Sequence, residues 1–270
     1  MQNAVQDSAI LLQETEDSGV LRLTLNDAKR RNALSEAMMA ALSAALDAAG
    51  SNPAVRVVVL AAKGPAFCAG HDLKEMTAAR AHTDRGRAYF TTVLANCSAL
   101  MQAIVHCPKP VIAEVTGIAT AAGCQLVASC DLAVAAEDAR FCTPGVDIGL
   151  FCSTPAVALA RAVPRKAAME MLLLGEMVPA AEAQRLGLVN RLAPRDALME
   201  TALGLAARIA SHSAITVRMG KRGFNTQIEL PLSEAYREAA SVMTENLMAR
   251  DAAEGIGAFL EKRHPHWEDR

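Results

Sequence analysis

The sequence predicts an α/β protein in which the strands of a mainly parallel sheet alternate with helices, followed by a helical C-terminal region. Three observations carry this. Strand-like and helix-like segments alternate from Val20 to about Ala136, the run VRVVVLA at 55–61 is apolar on both faces, and the strand signal fades beyond Pro155. The 270 residues are 52% hydrophobic yet include only six Phe, two Tyr and one Trp, so Ala, Val, Leu, Ile and Met must build the core. That composition suits helices packed closely on sheets.

VLRLTL at 20–25 alternates with the period of two of a half-buried strand, and Asn26-Asp27 closes it with turn residues. Ser35 is placed to cap a helix that runs to about Ala49 and ends at Gly50-Ser51-Asn52-Pro53. The strand at 55–61 follows. A helix over about 83–106, the strand PVIAEV at 110–115, a short helix around 121–129 and the strand DLAVAA at 131–136 continue the pattern. Ser153 or Thr154 is a candidate cap for the helix at Pro155. Further helices are expected around Ala167 and Ala168, in PAAEAQRLGL, and over about 194–211 and 231–262, where Met243, Leu247 and Met248 would pack on the chain's own core or on a neighbouring subunit. The division is a core over residues 1–195 and a helical region over 196–270.

The formal charge is −2 with both signs interspersed, which argues against a nucleic-acid or membrane-surface binder. An anionic ligand would need a local basic patch. The cysteines at 68, 97, 107, 124, 130, 142 and 152 form no CxxC pair and sit mostly in apolar runs, so they read as reduced thiols in a cytoplasmic protein. The N-terminal MQNAVQDSAILLQETEDSG lacks a basic segment followed by an apolar one, so no secretory or transit signal is expected, and no apolar run reaches membrane-spanning length. No spacing suggests a metal, and there is no GxSxG, P-loop or GxGxxG motif.

Two loops gather small residues just after predicted buried strands: Phe67-Cys68-Ala69-Gly70-His71-Asp72-Leu73 and Gly117-Ile118-Ala119-Thr120-Ala121-Ala122-Gly123-Cys124-Gln125. Each opens a helix and so offers free amide donors. Two such donors converging on one oxygen would form an oxyanion hole; tight helix–sheet packing would produce the same composition.

Read together, LTLNDAKRRNALS at 23–35, AFCAGHDLKEM at 66–76, KPVIAEVTGIATAAGCQLVASCDLAVAAEDARF at 109–141 and AFLEKRHPHW at 258–267 resemble the enoyl-CoA hydratase/isomerase family, the crotonase superfamily, in wording and order. The resemblance implies a spiral of ββα repeats with a C-terminal helical region, an acyl-CoA substrate, no prosthetic group, and assembly as a homotrimer or homohexamer. It makes the backbone NH groups of His71 and Ala122 the oxyanion hole for the thioester carbonyl. It places CoA contacts at Lys29, Arg30 and Arg31, along Ala69, Asp72, Leu73 and Lys74, and at Phe259 and Lys262.

The same resemblance puts Gln125 and Gly145 where family hydratases carry two glutamates. Neither can exchange a proton, and a positioned general acid or base is worth about 10²–10⁴ in rate. Hydratase chemistry is therefore expected to be weak or redirected. Asp147 is the leading substitute acid or base, ahead of Cys142, Cys152, Ser153 and His71, with turn capping or buried packing as the alternative for each. Decarboxylation of a malonyl-type thioester and non-catalytic acyl-CoA binding are the competing readings.

Overall fold

The computed structural model describes residues 9–270. The first eight residues, which open the N-terminal segment read above and the expected core, lie outside the described residues. The elements in chain order are β1 (Leu11–Thr15), β2 (Val20–Leu25), α1 (Glu36–Ser51), β3 (Val57–Ala62), β4 (Ala66–Cys68), α2 (Leu73–Ala79), α3 (Arg87–His106), β5 (Val111–Val115), β6 (Ile118–Thr120), α4 (Ala122–Ser129), β7 (Leu132–Ala136) and β8 (Arg140–Cys142). They continue with α5 (Ser153–Ala162), α6 (Arg165–Leu174), β9 (Val178–Pro179), α7 (Ala180–Leu186), β10 (Arg191–Ala193), α8 (Leu198–Ala210), α9 (Ala214–Gln227), α10 (Leu232–Met248) and α11 (Arg250–Glu261).

Two sheets organise the core. One has the order β1-β2-β3-β5-β7-β10 and the other β4-β6-β8-β9, and all pairings are parallel except those of the terminal strands β1 and β9. The chain alternates between them: β3, β5 and β7 lie in the large sheet, and the strand after each, β4, β6 and β8, lies in the small one before the chain turns into helix. This is the expected succession of ββα units. β3 is buried along nearly its whole length, as its unbroken apolar run requires. β5 is equally buried although it carries Glu114, whose carboxylate accepts from Arg22 Nη2 at 2.7 Å and Nε at 3.1 Å. A bidentate partner is what makes a charge tolerable there.

Ser35 caps α1 as expected, accepting from the Met38 amide at 3.2 Å. The cap expected for α5 is different: the helix already includes Ser153 and Thr154, and Cys152 stands at its N-cap with no side-chain bond. The stretch 231–262 is two helices, and α9 fills a span that carried no expected helix. α9 is pinned to the core by Lys221, whose Nζ donates to the carbonyls of Ile104 and Lys109, each at 3.1 Å, and to Asp131 at 2.6 Å. α8 packs across β2, β3, β5, β7 and β10. Met243, Leu247 and Met248 are exposed, so within one chain they do not pack on the core. The expectation about apolar runs is corrected too: α3, at 20 residues, is long and apolar enough to cross a membrane. Here it packs on α1 and buries Val93, Cys97, Leu100, Met101 and Ile104.

Candidate active site

β4 and β6 run side by side in parallel, with Cys68 opposite Ala119. Three residues beyond this pair each chain reaches a candidate amide, His71 on one side and Ala122 on the other. The residue before each donor has a positive φ: Gly70 at 83° and Ala121 at 52° with ψ −119°. The two turns touch, since a Cβ built on Gly70 would lie 3.0 Å from the Ala121 Cβ and 3.3 Å from the Ala122 nitrogen. Ala122 is the first residue of α4, so its NH has no acceptor within the helix. On the other turn the Leu34 NH donates to the Gly70 carbonyl at 2.7 Å, which leaves the His71 amide out of that bridge.

The next residue explains how closely the segments sit. A Cβ on Gly123 would stand 2.1 Å from the Cys68 carbonyl oxygen, so only glycine lets the start of α4 press against β4. Ala121 is held from behind by its own NH, which donates to the Cys142 carbonyl at 2.9 Å.

The first turn is fixed by charge. Asp72 caps α2, accepting from the Lys74 amide at 2.9 Å and the Glu75 amide at 3.4 Å, and Arg30 approaches it at 3.4 Å. Burial alone would raise its pKa; the two amides and the guanidinium outweigh burial and hold the carboxyl below the usual range. Arg30 also pairs with Asp27 at 2.9 Å and lies 3.9 Å from Glu75. Of the expected CoA cations, Arg30 therefore ties two loops together, whereas Lys29, Arg31 and Lys74 are exposed with no ion-pair partner among the described residues. Ala69 is half-buried and Leu73 exposed beside them. Phe259 and Lys262 are not brought to this cluster: they lie in the last turn and just past the end of α11, whose principal neighbours are α9 and α10, and Phe259 is 82% exposed.

Gln125 lies one turn after Ala122 on the same face of α4. It is 4% exposed, and its Oε1 is buried with no partner among the described residues. The His71 Nε2 is likewise buried and without a partner among the described residues, and burial lowers the imidazole pKa, which keeps the ring neutral at neutral pH. Gly145 has no room for a side chain: a Cβ there would meet Cys152 Sγ at 2.8 Å and the Leu150 carbonyl oxygen at 2.9 Å. Asp147 is on the exposed side of the same turn, near Gly175. Cys142 donates to Thr120 Oγ1 at 3.2 Å, and burial pushes the Cys142 and Cys152 thiols up, so both are protonated at neutral pH. Ser153 donates to the Phe151 carbonyl at 3.4 Å. Among the described residues no group of three or more His, Cys, Asp or Glu side chains is arranged to hold a metal ion.

Two residues that organise the site escaped the sequence reading. Asn32, fully buried, donates to the carbonyls of Lys63 and Ala66, each at 2.8 Å, and accepts from the Asp27 amide at 2.8 Å, so one side chain joins the 27–32 turn to the start of β4. An Asn between two basic residues and a capping Ser was the available signal. Ala121 gave none, because its role is a backbone conformation.

A family model described as enoyl-CoA hydratase/isomerase matches residues 15–270. Enoyl-CoA hydratase domain-containing protein 3, mitochondrial, from Rattus norvegicus is 48% identical over 252 residues, 93% of this chain and 82% of the relative. A crystal structure of an enoyl-CoA hydratase from Mycobacterium smegmatis superposes with a TM-score of 0.92 at 52% identity, covering 96% of this chain and 99% of the other. The human enoyl-CoA hydratase domain-containing protein 3 superposes with a TM-score of 0.91 at 45% identity, covering 96% and 100%.

Proposed function

The chain belongs to the enoyl-CoA hydratase/isomerase family, and from that premise we propose that it binds an acyl-CoA thioester and stabilises its enolate, with hydratase chemistry weak or redirected. The observation that carries this is the pair of adjoining turns that bring the amides of His71 and Ala122 to the ends of two paired strands. The thioester oxygen accepts from both amides. As the carbonyl takes on enolate character its negative charge grows, and donors already in place stabilise it; removing one such donor typically costs about 10²–10³ in turnover. Among the described residues of the site, Lys29, Arg31 and Lys74 are the cations free for the CoA phosphates.

Gln125 and Gly145 stand where the family glutamates are expected, and neither can relay a proton. At Gly145 the surroundings support the loss, since Cys152 and the Leu150 carbonyl occupy the space in which a carboxylate side chain would begin. The same closure favours a second reading, an acyl-CoA binder without turnover. No prosthetic group is invoked in either. The exposed apolar residues of α10 and α11, among them Tyr236, Leu247 and Leu260, suit burial against further copies in a homotrimer or homohexamer. A cytoplasmic location is part of the proposal, although the rat relative is named as mitochondrial.

The test measures binding and turnover separately for crotonyl-CoA, longer enoyl-CoA esters, malonyl-CoA and methylmalonyl-CoA, following conjugated absorbance and product mass. Binding with hydration at least about 10²-fold below that of a family hydratase carrying both glutamates is the expected outcome. Fast hydration abolished by Asp147→Ala would overturn the weak-hydratase reading. Absence of CoA-ester binding would overturn the proposal altogether.

A further inference from the structure

A cavity of about 210 Å³ lies at the amino ends of β3 and β5, between the end of α8 and the start of α9, with Arg56, Lys109, His212, Ile215, Arg218 and Asp269 in a wall that is otherwise mostly apolar. The turns that carry His71 and Ala122 follow the carboxyl ends of β4 and β6 and contribute nothing to it. Three cations face one carboxylate here, and that carboxylate is already engaged. Asp269 accepts from the Ala214 amide at 2.7 Å through Oδ1 and from Arg56 at 2.6 Å through Oδ2.

Several donors remain after Asp269 is satisfied. Arg56 also donates to the His212 carbonyl at 2.5 Å, so both of its terminal nitrogens are engaged and the donors left are on its neighbours. Lys109 is half-buried and Arg218 stands at the rim, and neither has an ion-pair partner within reach among the described residues. Of the first three amides of α9, Ala214 serves Asp269 and Thr216 donates to Ser213 Oγ at 3.4 Å, which leaves that of Ile215. Burial first, and then the charges of Arg218 and Arg56, hold the Lys109 ammonium below its usual pKa. A nearby anion would reverse the second effect.

We propose that this cavity binds a phosphate group, held between Lys109 and Arg218 with the Ile215 amide beside them. Two cations with no ion-pair partner among the described residues favour a dianion over a singly charged carboxylate or halide, and a phosphate has oxygens enough to accept from both side chains and the amide. Free inorganic phosphate and a phosphomonoester share this chemistry. The proposal is independent of the thioester reading, because it uses none of that site's residues.

Thermal unfolding in inorganic phosphate, compared with chloride at equal ionic strength and pH, tests it. With phosphate at roughly five times its Kd, Tm should rise by about 2–4 °C, and the Lys109→Gln/Arg218→Gln double variant should lose that rise while retaining the wild-type Tm in chloride and wild-type crotonyl-CoA affinity. Glycerol phosphate in place of inorganic phosphate identifies the source: whichever gives the larger rise at equal concentration is the better match. An equal rise in the double variant, or in chloride, overturns the proposal. So does the absence of a rise with both phosphates.

Discussion

The turn after β4 and the turn after β6 each carry an amide to a point two or three residues beyond a strand end, yet they are held by different forces. The first uses charge and polar side chains: Asp72 caps its helix, Arg30 bridges to it, and Asn32 bonds the neighbouring backbone. Its positive φ falls on Gly70, where it carries no steric penalty. The second turn has none of these side chains. Gly123 lies against the Cys68 carbonyl, Ala121 bonds to the Cys142 carbonyl, and the positive φ falls on an alanine. One side of the site should therefore respond to pH and charge substitution, the other to volume.

The largest expected effect is on the packed side. Gly123→Ala places a Cβ 2.1 Å from backbone that belongs to a paired strand and cannot yield like a flexible side chain. Destabilisation of about 3 kcal/mol or more is expected, with loss of CoA-thioester affinity, because separating α4 from β4 moves the Ala122 amide away from that of His71. Chemical denaturation alongside thioester binding checks it. An unaffected variant would mean that β4 and α4 are not in register as described.

The charged side should give a smaller, pH-dependent effect. Replacing Asp72 by Ala removes a helix cap and should lower stability by about 1 kcal/mol at neutral pH. Since the folded carboxyl titrates below its unfolded value of about 3.9, its contribution is complete above that pH and fades as pH falls through the folded pKa. The stability difference between wild type and Asp72→Ala should accordingly shrink as urea unfolding is repeated at successively lower pH. The Arg30 ion pair contributes the smaller part, because that guanidinium is half exposed. A difference that is constant with pH would place the effect elsewhere than in the carboxylate.

The same contrast explains what the sequence could reveal. Alternating and continuous apolar runs disclosed β2, β3, β5 and β7, because burial of strand faces is written in side-chain type. β4, β6 and β8 are three residues each and too short to show a period, so two of them read as parts of loops. β1 is buried only at Leu11 and Leu12, and its remaining residues are those of an edge strand. At the site, the small residues of the two loops were visible as chemistry, whereas Asp72 stood in the sequence only as an expected CoA contact and its cap on α2 came with the structure. The strain at Ala121 and the closure of Gly145 by Cys152 depend on how the chain folds back on itself, which residue type alone does not encode.

The smallest expected effect belongs to Ala121. A non-glycine residue at φ 52° and ψ −119° carries a steric penalty of order 1–3 kcal/mol, tolerated only when its surroundings impose it. Here they do: the Cys142 carbonyl fixes the residue's NH, and the start of α4 is pressed against β4. Ala121→Gly removes the penalty but gives the unfolded chain more freedom, which offsets roughly 0.5–1 kcal/mol. A net stabilisation of about 1 kcal/mol is expected, with thioester affinity retained because the Ala122 amide keeps its place. A higher denaturation midpoint at unchanged denaturant dependence is the expected result. A destabilised Ala121→Gly variant would show that alanine is at ease in this turn, and that both turns then reach the same geometry without stored strain.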